Sequence, residues 1–426
     1  MEVFLLLGSF VLFVMLRVPI ALALVTASII TALSLGLPLA SLFQRMVSGL
    51  NSFSLIAIPF FILAGEIMNQ GGISTRLIQL SNIIIGKIRG GLAMVNVMAS
   101  TFFGGISGSA VADVSSVGSV LIPMMKKKKY ESDYAVAVTV SSAAQGVMIP
   151  PSHNMIIYSA AAGGVSIGSL FLGGLLPGLL LGAALMVTTY LLAVKRGYPK
   201  GEPIPRKEVP RIVREGLLGL FTAVIIIGGI VSGIFTATES AAIGVLYAFV
   251  ITFFVYRDIP LSRMGSILNN TFKTLAMVMF LIAASSGFGW LLAFLQVPAM
   301  VTEALLSISS NEILLLLLIN LILLVLGTFM DMAPLILIMT PILLPVATQL
   351  GMDPVHFGVV MILNLSIGLI TPPVGSALFV GCAVGKVPIE KATRSLMPFY
   401  VTMGAVLLLI TFVPEIVLWL PKLLAP

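Results

Sequence analysis

Residues 104–113 read GGISGSAVAD and residues 326–335 read LGTFMDMAPL, and the two strings share one register displaced by 222 positions. Gly105 pairs with Gly327, Pro123 with Pro345, Gly146 with Gly368, Pro150 with Pro372, Pro151 with Pro373 and Gly163 with Gly385, with no gap from the first pair to the last. Glycine and proline interrupt helices, so the chain carries one pattern of breaks twice, each time inside an otherwise apolar stretch. Paired halves with Gly/Pro-interrupted apolar segments at corresponding places point to a binding site near the middle of a bilayer, the arrangement of a transporter.

Composition sets the class. Of 426 residues 59% are hydrophobic and 9% charged, with mean hydropathy +1.15, a balance whose surface could not be kept in water. The chain reads as an all-α polytopic membrane protein. Apolar runs of about 20 residues cross the hydrocarbon core, so this length allows roughly a dozen spanning segments, some of them re-entrant. The start, Met1-Glu2-Val3, has no basic n-region and the apolar run continues past Ala21-Leu22-Ala23, so residues 4–35 read as two retained helices. Cys382 is the single cysteine, which excludes an internal disulfide.

The net charge of +7 lies in loops without aromatic interleaving, so it excludes a nucleic-acid partner and reports orientation. Lys126 to Lys129 should be cytoplasmic, whereas the counterpart Thr348-Gln349-Leu350-Gly351 has no basic residue. Equivalent loops on opposite faces are what an inverted repeat requires. Residues 195–215 carry Lys195, Arg196, Lys200, Arg206, Lys207, Arg211 and Arg214 among Pro199, Pro203, Pro205 and Pro210. They read as an inter-repeat linker with a helix lying on the anionic lipid of the cytoplasmic interface. A second amphipathic piece is expected over residues 41–56, where Gln44, Arg45, Ser48, Asn51 and Ser52 interrupt the leucines.

Non-helical backbone survives at membrane depth only where protein, water or ions satisfy it. Four places have that character: Gly104 to Ser109, Ile149 to Asn154, Gly327 to Asp331 with Pro334, and Thr371 to Ser376. Consecutive prolines remove backbone donors and leave carbonyls free to face Na⁺, while half-helix N-termini suit a carboxylate. Intramembrane carboxylates are functional candidates by default. Asp113 follows the first break, and Asp331 stands where the first half has Ser109. Glu66 and Glu239 read as caps or structural partners, and His153 as a residue satisfied at a helix end.

The strings GGISGSAVADVSSVGSVLIPMM, IPPSHNMIIY, GIFTATESAA, LGTFMDMAPLILIMTPILLPVA and TPPVGSALFVGCAVG together resemble the large membrane subunit of the tripartite ATP-independent periplasmic (TRAP) transporters, over essentially the whole chain. The resemblance implies an inverted-repeat elevator transporter of the ion-transporter superfamily type, with two re-entrant helical hairpins, in the bacterial inner membrane. It implies coupling to two or more Na⁺ ions. It also implies two partners, a separate small membrane subunit of about four helices and a soluble periplasmic binding protein that delivers an organic acid. Carried over, the first hairpin tip with its facing loop supplies Na⁺ ligands from Gly105, Ser107, Gly108, Ser109, Pro150, Pro151 and Ser152. The second supplies them from Gly327, Thr328, Asp331, Thr371, Pro373 and Gly375. Substrate is expected between them, near Ser107, Asp113, Ser152, Asn154 and Asp331. No arginine falls within the four breaks, so an anion there depends on hydroxyls, amides, helix ends and co-bound Na⁺. The family carries C4-dicarboxylates, sialic acids, sugar acids and keto acids; this run of residues is nearest the sialic-acid branch, without a diagnostic residue.

On this reading residues 58–194, with the first hairpin, and 276–412, with the second, form a moving transport domain. Residues 1–57 and 216–275 form the scaffold, 195–215 the linker and 413–426 a C-terminal tail. The alternative is a stand-alone Na⁺/carboxylate symporter, which has the same broken repeats and needs no binding protein. An intramembrane aspartyl protease would need a Gly-x-Gly-Asp motif, which is absent, and a zinc enzyme more than two histidines and one cysteine. A passive channel differs in lacking uptake against a gradient.

Overall fold

The structure, a computed structural model, describes residues 1–51, 53–201, 204–309 and 311–424, so Ser52 and Pro203 of the two expected amphipathic pieces, and the last two residues of the tail, lie outside it. Helices α1 (Glu2–Met15), α2 (Ile20–Ser34), α3 (Leu39–Gly49), α4 (Ala57–Gln70), α5 (Ile73–Ile85), α6 (Gly91–Ser107), α7 (Ala110–Asp113), α8 (Ser119–Lys127), α9 (Ser132–Gly146), α10 (His153–Ala161) and α11 (Ile167–Lys195) make up the first half. The second half holds α12 (Val209–Val231), α13 (Ala237–Val250), α14 (Met264–Phe294), α15 (Val297–Ile308), α16 (Glu312–Gly327), α17 (Met332–Gln349), α18 (Pro354–Gly368), α19 (Ser376–Gly385) and α20 (Ile389–Phe412), closed by α21 (Pro414–Leu424).

The displacement of 222 residues carries one half onto the other element by element. Adding it to both ends of α9 gives 354 and 368, the ends of α18, and adding it to the start of α11 gives 389, the start of α20. The segment from the start of α7 to the end of α8 becomes 332 to 349, the span of α17. Two differences are local. In the first half a π-helical turn, Val114–Gly118, interrupts what is one continuous helix in α17. The first half also breaks between α3 and α4, where the second runs straight through α14. Asn51 stands there in the first half and Lys273 in the second, and Asn is a poorer helix former than Lys.

Basic residues mark equivalent connections on opposite faces. Arg17 lies in the α1–α2 turn, while the α12–α13 turn has none; the α2–α3 turn has none, while Arg257 and Arg263 lie between α13 and α14. Lys87 and Arg89 precede α6 and Lys126 to Lys129 span the end of α8, with no counterparts around α16 and α17; Lys386 follows α19, with none after α10. By the positive-inside rule the two halves are inverted with respect to one another. Among the described residues six helical stretches are long and apolar enough to cross a membrane, including α11, α12, α17 and α20.

At the centre lie α9 and α18. α9 is buried from Asp133 to Gly146 and α18 from His356 to Gly368; α18 is largely apolar, while α9 buries Thr139, Ser141, Ser142 and Gln145 with their side chains hydrogen-bonded. α6 packs along α9, and α16 along α18. Of the amphipathic piece expected over 41–56, residues 41–49 lie in α3, whose Leu42 and Met46 are buried beside Gly287 of α14. The linker differs from expectation. No separate interfacial helix forms among its described residues; Arg211 and Arg214 lie in the first turns of α12, with Pro210 at its start. The preceding segment is tied down: Tyr198 stacks on Tyr130 at 4.4 Å, the Gly90 N–H donates to the Pro199 carbonyl at 3.0 Å, and Arg196 pairs with Glu131.

Candidate functional site

Each half closes its two breaks against one another. In the first, α6 ends at Ser107 and Gly108 turns the chain at φ 61°, donating its N–H to the Gly104 carbonyl at 2.8 Å. Only glycine fits: the conformation is left-handed, and a Cβ would stand 2.8 Å from His153 Nδ1. Ser109 is extended and caps α7, its Oγ accepting the Ala112 N–H at 3.3 Å. Opposite, α9 ends at Gly146, the chain passes the cis Pro150–Pro151 bond and restarts as α10 at His153. The two breaks meet where Asn154 Nδ2 donates to the Gly108 carbonyl at 3.2 Å, and a Cβ at Gly105 would lie 2.8 Å from the Pro150 carbonyl.

The second half repeats this with different chemistry. Gly327 backs onto Gly368, where a Cβ would stand 3.2 Å from the Gly368 Cα. The Val374 N–H donates to the Thr328 carbonyl at 3.0 Å, and the Thr328 and Thr371 hydroxyls donate to the Val325 and Ile367 carbonyls at 2.8 and 2.7 Å, leaving their lone pairs available. Pro372–Pro373 is also cis, and Gly375 precedes α19 at φ 39°. Asp331 stands in extended backbone at the N-cap of α17, with the Ser376 hydroxyl beside its carboxylate. The first pair of breaks is mostly buried, whereas Phe329, Pro373 and Val374 of the second are exposed.

Between the two pairs lies a cavity of about 550 Å³. Its walls include Ser107, Ser109 and Ala110 to Ala112 from the first tip, Pro151, His153 and Asn154 from the facing break, and Asp331 to Pro334 from the second tip. Glu66 and Asn69 of α4 and Thr274 and Met277 of α14 close the remaining side. The first turns of α10 and α17 thus face one space, presenting two helix N-termini to it. Glu66 and Asp331 are its carboxylates, and no lysine or arginine lines it among the described residues.

Of the expected substrate residues, Ser107, Asn154 and Asp331 line this cavity. Ser152 does not; it is fully buried with an unpartnered hydroxyl. Asp113 does not either. Ala110 to Ala112 face the cavity, and the Asp113 side chain turns away from them towards Ser100 and Gly146. Of the expected Na⁺ ligands, Ser107, Ser109, Pro151 and Asp331 reach the cavity wall. Gly105, Gly108 and Pro150 lie in the buried layer behind it, and Gly327, Thr328, Thr371, Pro373 and Gly375 lie behind the second tip. Glu239 closes a capping box with Thr236, as read from sequence. Glu66 accepts from Gln70 and Asn270 at 2.6 and 3.0 Å, a structural role, yet it also lines the cavity. Asn69 and Thr274 escaped the sequence reading. Asn69 is three residues from Glu66 and shares its helix face, the one signal that points to it.

A family model described as "Tripartite ATP-independent periplasmic transporter, DctM component" matches residues 7–416. The chain is 44% identical over 380 residues to the sialic acid TRAP transporter large permease protein SiaM of Vibrio cholerae, covering 89% of each chain. It is 41% identical over 412 residues to the isethionate TRAP transporter permease protein DctMQ of Oleidesulfovibrio alaskensis, covering 96% of this chain and 65% of that one. Among solved structures, the Alcanivorax borkumensis YdaH transporter superimposes with a TM-score of 0.64 at 13% identity over 88% of each chain, a likeness of fold.

Proposed function

The chain belongs to the DctM component family of the tripartite ATP-independent periplasmic transporters, and on that premise we propose that it carries an organic acid into the cell by Na⁺-coupled elevator movement. It is a multi-pass inner-membrane permease and not an enzyme. A periplasmic binding protein hands the acid over, and a small membrane subunit of about four helices completes the complex.

The observation that carries the sodium reading is the charge of the cavity. Glu66 and Asp331 line it without a basic side chain, so an organic anion entering alone meets like charge in a site of low dielectric. Na⁺ bound at the broken tips reverses that sign. The carbonyls and hydroxyls around Ser107 to Ser109, Pro150 to Ser152, Thr328 and Thr371 are hard oxygen donors of the kind Na⁺ takes. The N-termini of α10 and α17 then hold the substrate carboxylate. Ion binding first and substrate second follows from this order of charges. Residues 58–194 and 276–412, which contain all four breaks as two re-entrant hairpins, move together against 1–57 and 216–275. Sialic acid is the first substrate to try, given the relative from Vibrio cholerae, with C4-dicarboxylates second.

The test is uptake of radiolabelled acids into proteoliposomes holding the chain and its small partner, with binding protein and an inward Na⁺ gradient supplied or withheld independently. Uptake requiring both is the expected result. Uptake requiring sodium alone makes the chain a stand-alone symporter, and uptake requiring neither removes the coupling.

A further inference from the structure

Asp113 has no part in the cavity, and its surroundings are unusual for a buried carboxylate. It is 1% exposed, and both carboxylate oxygens lack a hydrogen-bond partner among the described residues. The hydroxyl of Ser100, fully buried on α6, lies beside it and is also unpartnered. Gly146 of α9 faces the pair and lets α9 pack closely on the α6 backbone at Gly104. A Cβ at Gly146 would stand 3.5 Å from Asp113 Oδ2 and 2.9 Å from the Ser100 carbonyl oxygen. The helices packed against α7, namely α6, α9 and α19, carry no lysine, arginine or histidine. Their titratable groups are Asp133 and Tyr134, at the far end of α9, and Cys382. No side chain on these helices neutralises Asp113.

The repeat supplies an internal control. The counterparts of Ser100, Asp113 and Gly146 in the second half are Ile322, Leu335 and Gly368 (100, 113 and 146 plus 222). The same helix crossing therefore packs with two apolar side chains, and the Ser100–Asp113 pair answers no packing need. A uniquely polar pair, with a π-helical turn starting at the next residue, Val114, is the mark of a ligand.

We propose that Asp113 and Ser100 form a Na⁺ site behind the first hairpin tip, separate from the ion positions at the tips themselves. The Asp113 carboxylate supplies the charge, and the Ser100 hydroxyl and carbonyl supply further hard oxygens. A bound monovalent cation cancels a charge whose burial in a bilayer otherwise costs at least ~2.5 to 3.5 kcal/mol. The site rests on the sodium-coupled reading, since it adds one ion to the same cycle. The Asp113 backbone N–H donates to the Ser109 carbonyl at 3.0 Å, which ties the ion to the tip that lines the cavity.

The test is equilibrium binding of radiolabelled Na⁺ to the purified chain with its small membrane partner, without substrate. Asp113→Asn should bind one ion fewer than the wild type, and Ser100→Ala should weaken the affinity of one ion about tenfold, a loss of roughly 1.4 kcal/mol. Ser100→Ala conserves the buried volume and decides the matter if the first variant does not fold. Wild-type ion number and affinity in both variants would overturn the assignment, and so would an Asp113→Asn variant that keeps its ions but loses a pH dependence of uptake, which marks a proton site. Uptake by the wild type without a Na⁺ gradient would instead sink the coupling reading itself, so the two failures are told apart.

Discussion

Asn154 Nδ2 donates to the Gly108 carbonyl across 3.2 Å, joining the first turn of α10 to the tip after α6. That bond links two breaks 46 residues apart in sequence and holds the backbone of the first tip against the cavity wall.

Replacing Asn154 with Ala should therefore leave the Gly108 carbonyl unpaired, at a cost of about 1–3 kcal/mol. The expected outcome is normal insertion with Na⁺-dependent uptake reduced about tenfold or more, read in proteoliposomes. Wild-type uptake would mean that the tip is held by other contacts.

Asp331 precedes α17 at the cavity wall, and its carboxylate makes no capping hydrogen bond to that helix. Asp331→Asn should insert and unfold like the wild type while losing coupled uptake about tenfold or more, because the amide keeps the shape and discards the charge. Full uptake in that variant removes Asp331 from the site.

Gly108 and Gly163 both hold positive φ, 61° and 80°, but only Gly108 is hemmed in, by His153 and Ser152. A Gly163→Ala change should cost the ~1–2 kcal/mol of a left-handed residue and leave transport intact. Gly108→Ala should cost more and abolish uptake. Thermal unfolding of the two purified variants, compared side by side, checks the difference.

The Thr236–Glu239 capping box lies outside the cavity, in the turn leading into α13. Thr236→Ala should lower stability by about 1 kcal/mol and leave the sodium dependence of uptake unchanged. A changed Na⁺ dependence would show that this turn takes part in the transport movement.

Much of the fold was legible because its signals are local. Gly and Pro at a constant displacement of 222 residues mark where helices stop, and α9 and α18 begin and end at corresponding positions as that spacing requires. Lysine and arginine placement reported the inversion for the same reason, since each loop carries its own charges. The basic linker between residues 195 and 215 forms no separate helix among the described residues: Arg196, Tyr198 and Pro199 have partners on neighbouring loops, and residues 209–215 are the first turns of α12. Such contacts leave no trace in composition.

The sequence by itself determined that this is a membrane-embedded inverted repeat with four broken segments and Asp331 at one of them, because helix breaking and bilayer solubility are properties of short stretches. Only the tertiary structure decided which oxygens share a space. Asp113 and Asp331 look alike in sequence, each a carboxylate beside a break, yet one faces the cavity and the other the α6–α9 crossing. The direction of a side chain depends on helix phase and on what packs opposite. For Asp113 what lies opposite is Ser100 of α6 and Gly146 of α9, 33 positions away (146 − 113).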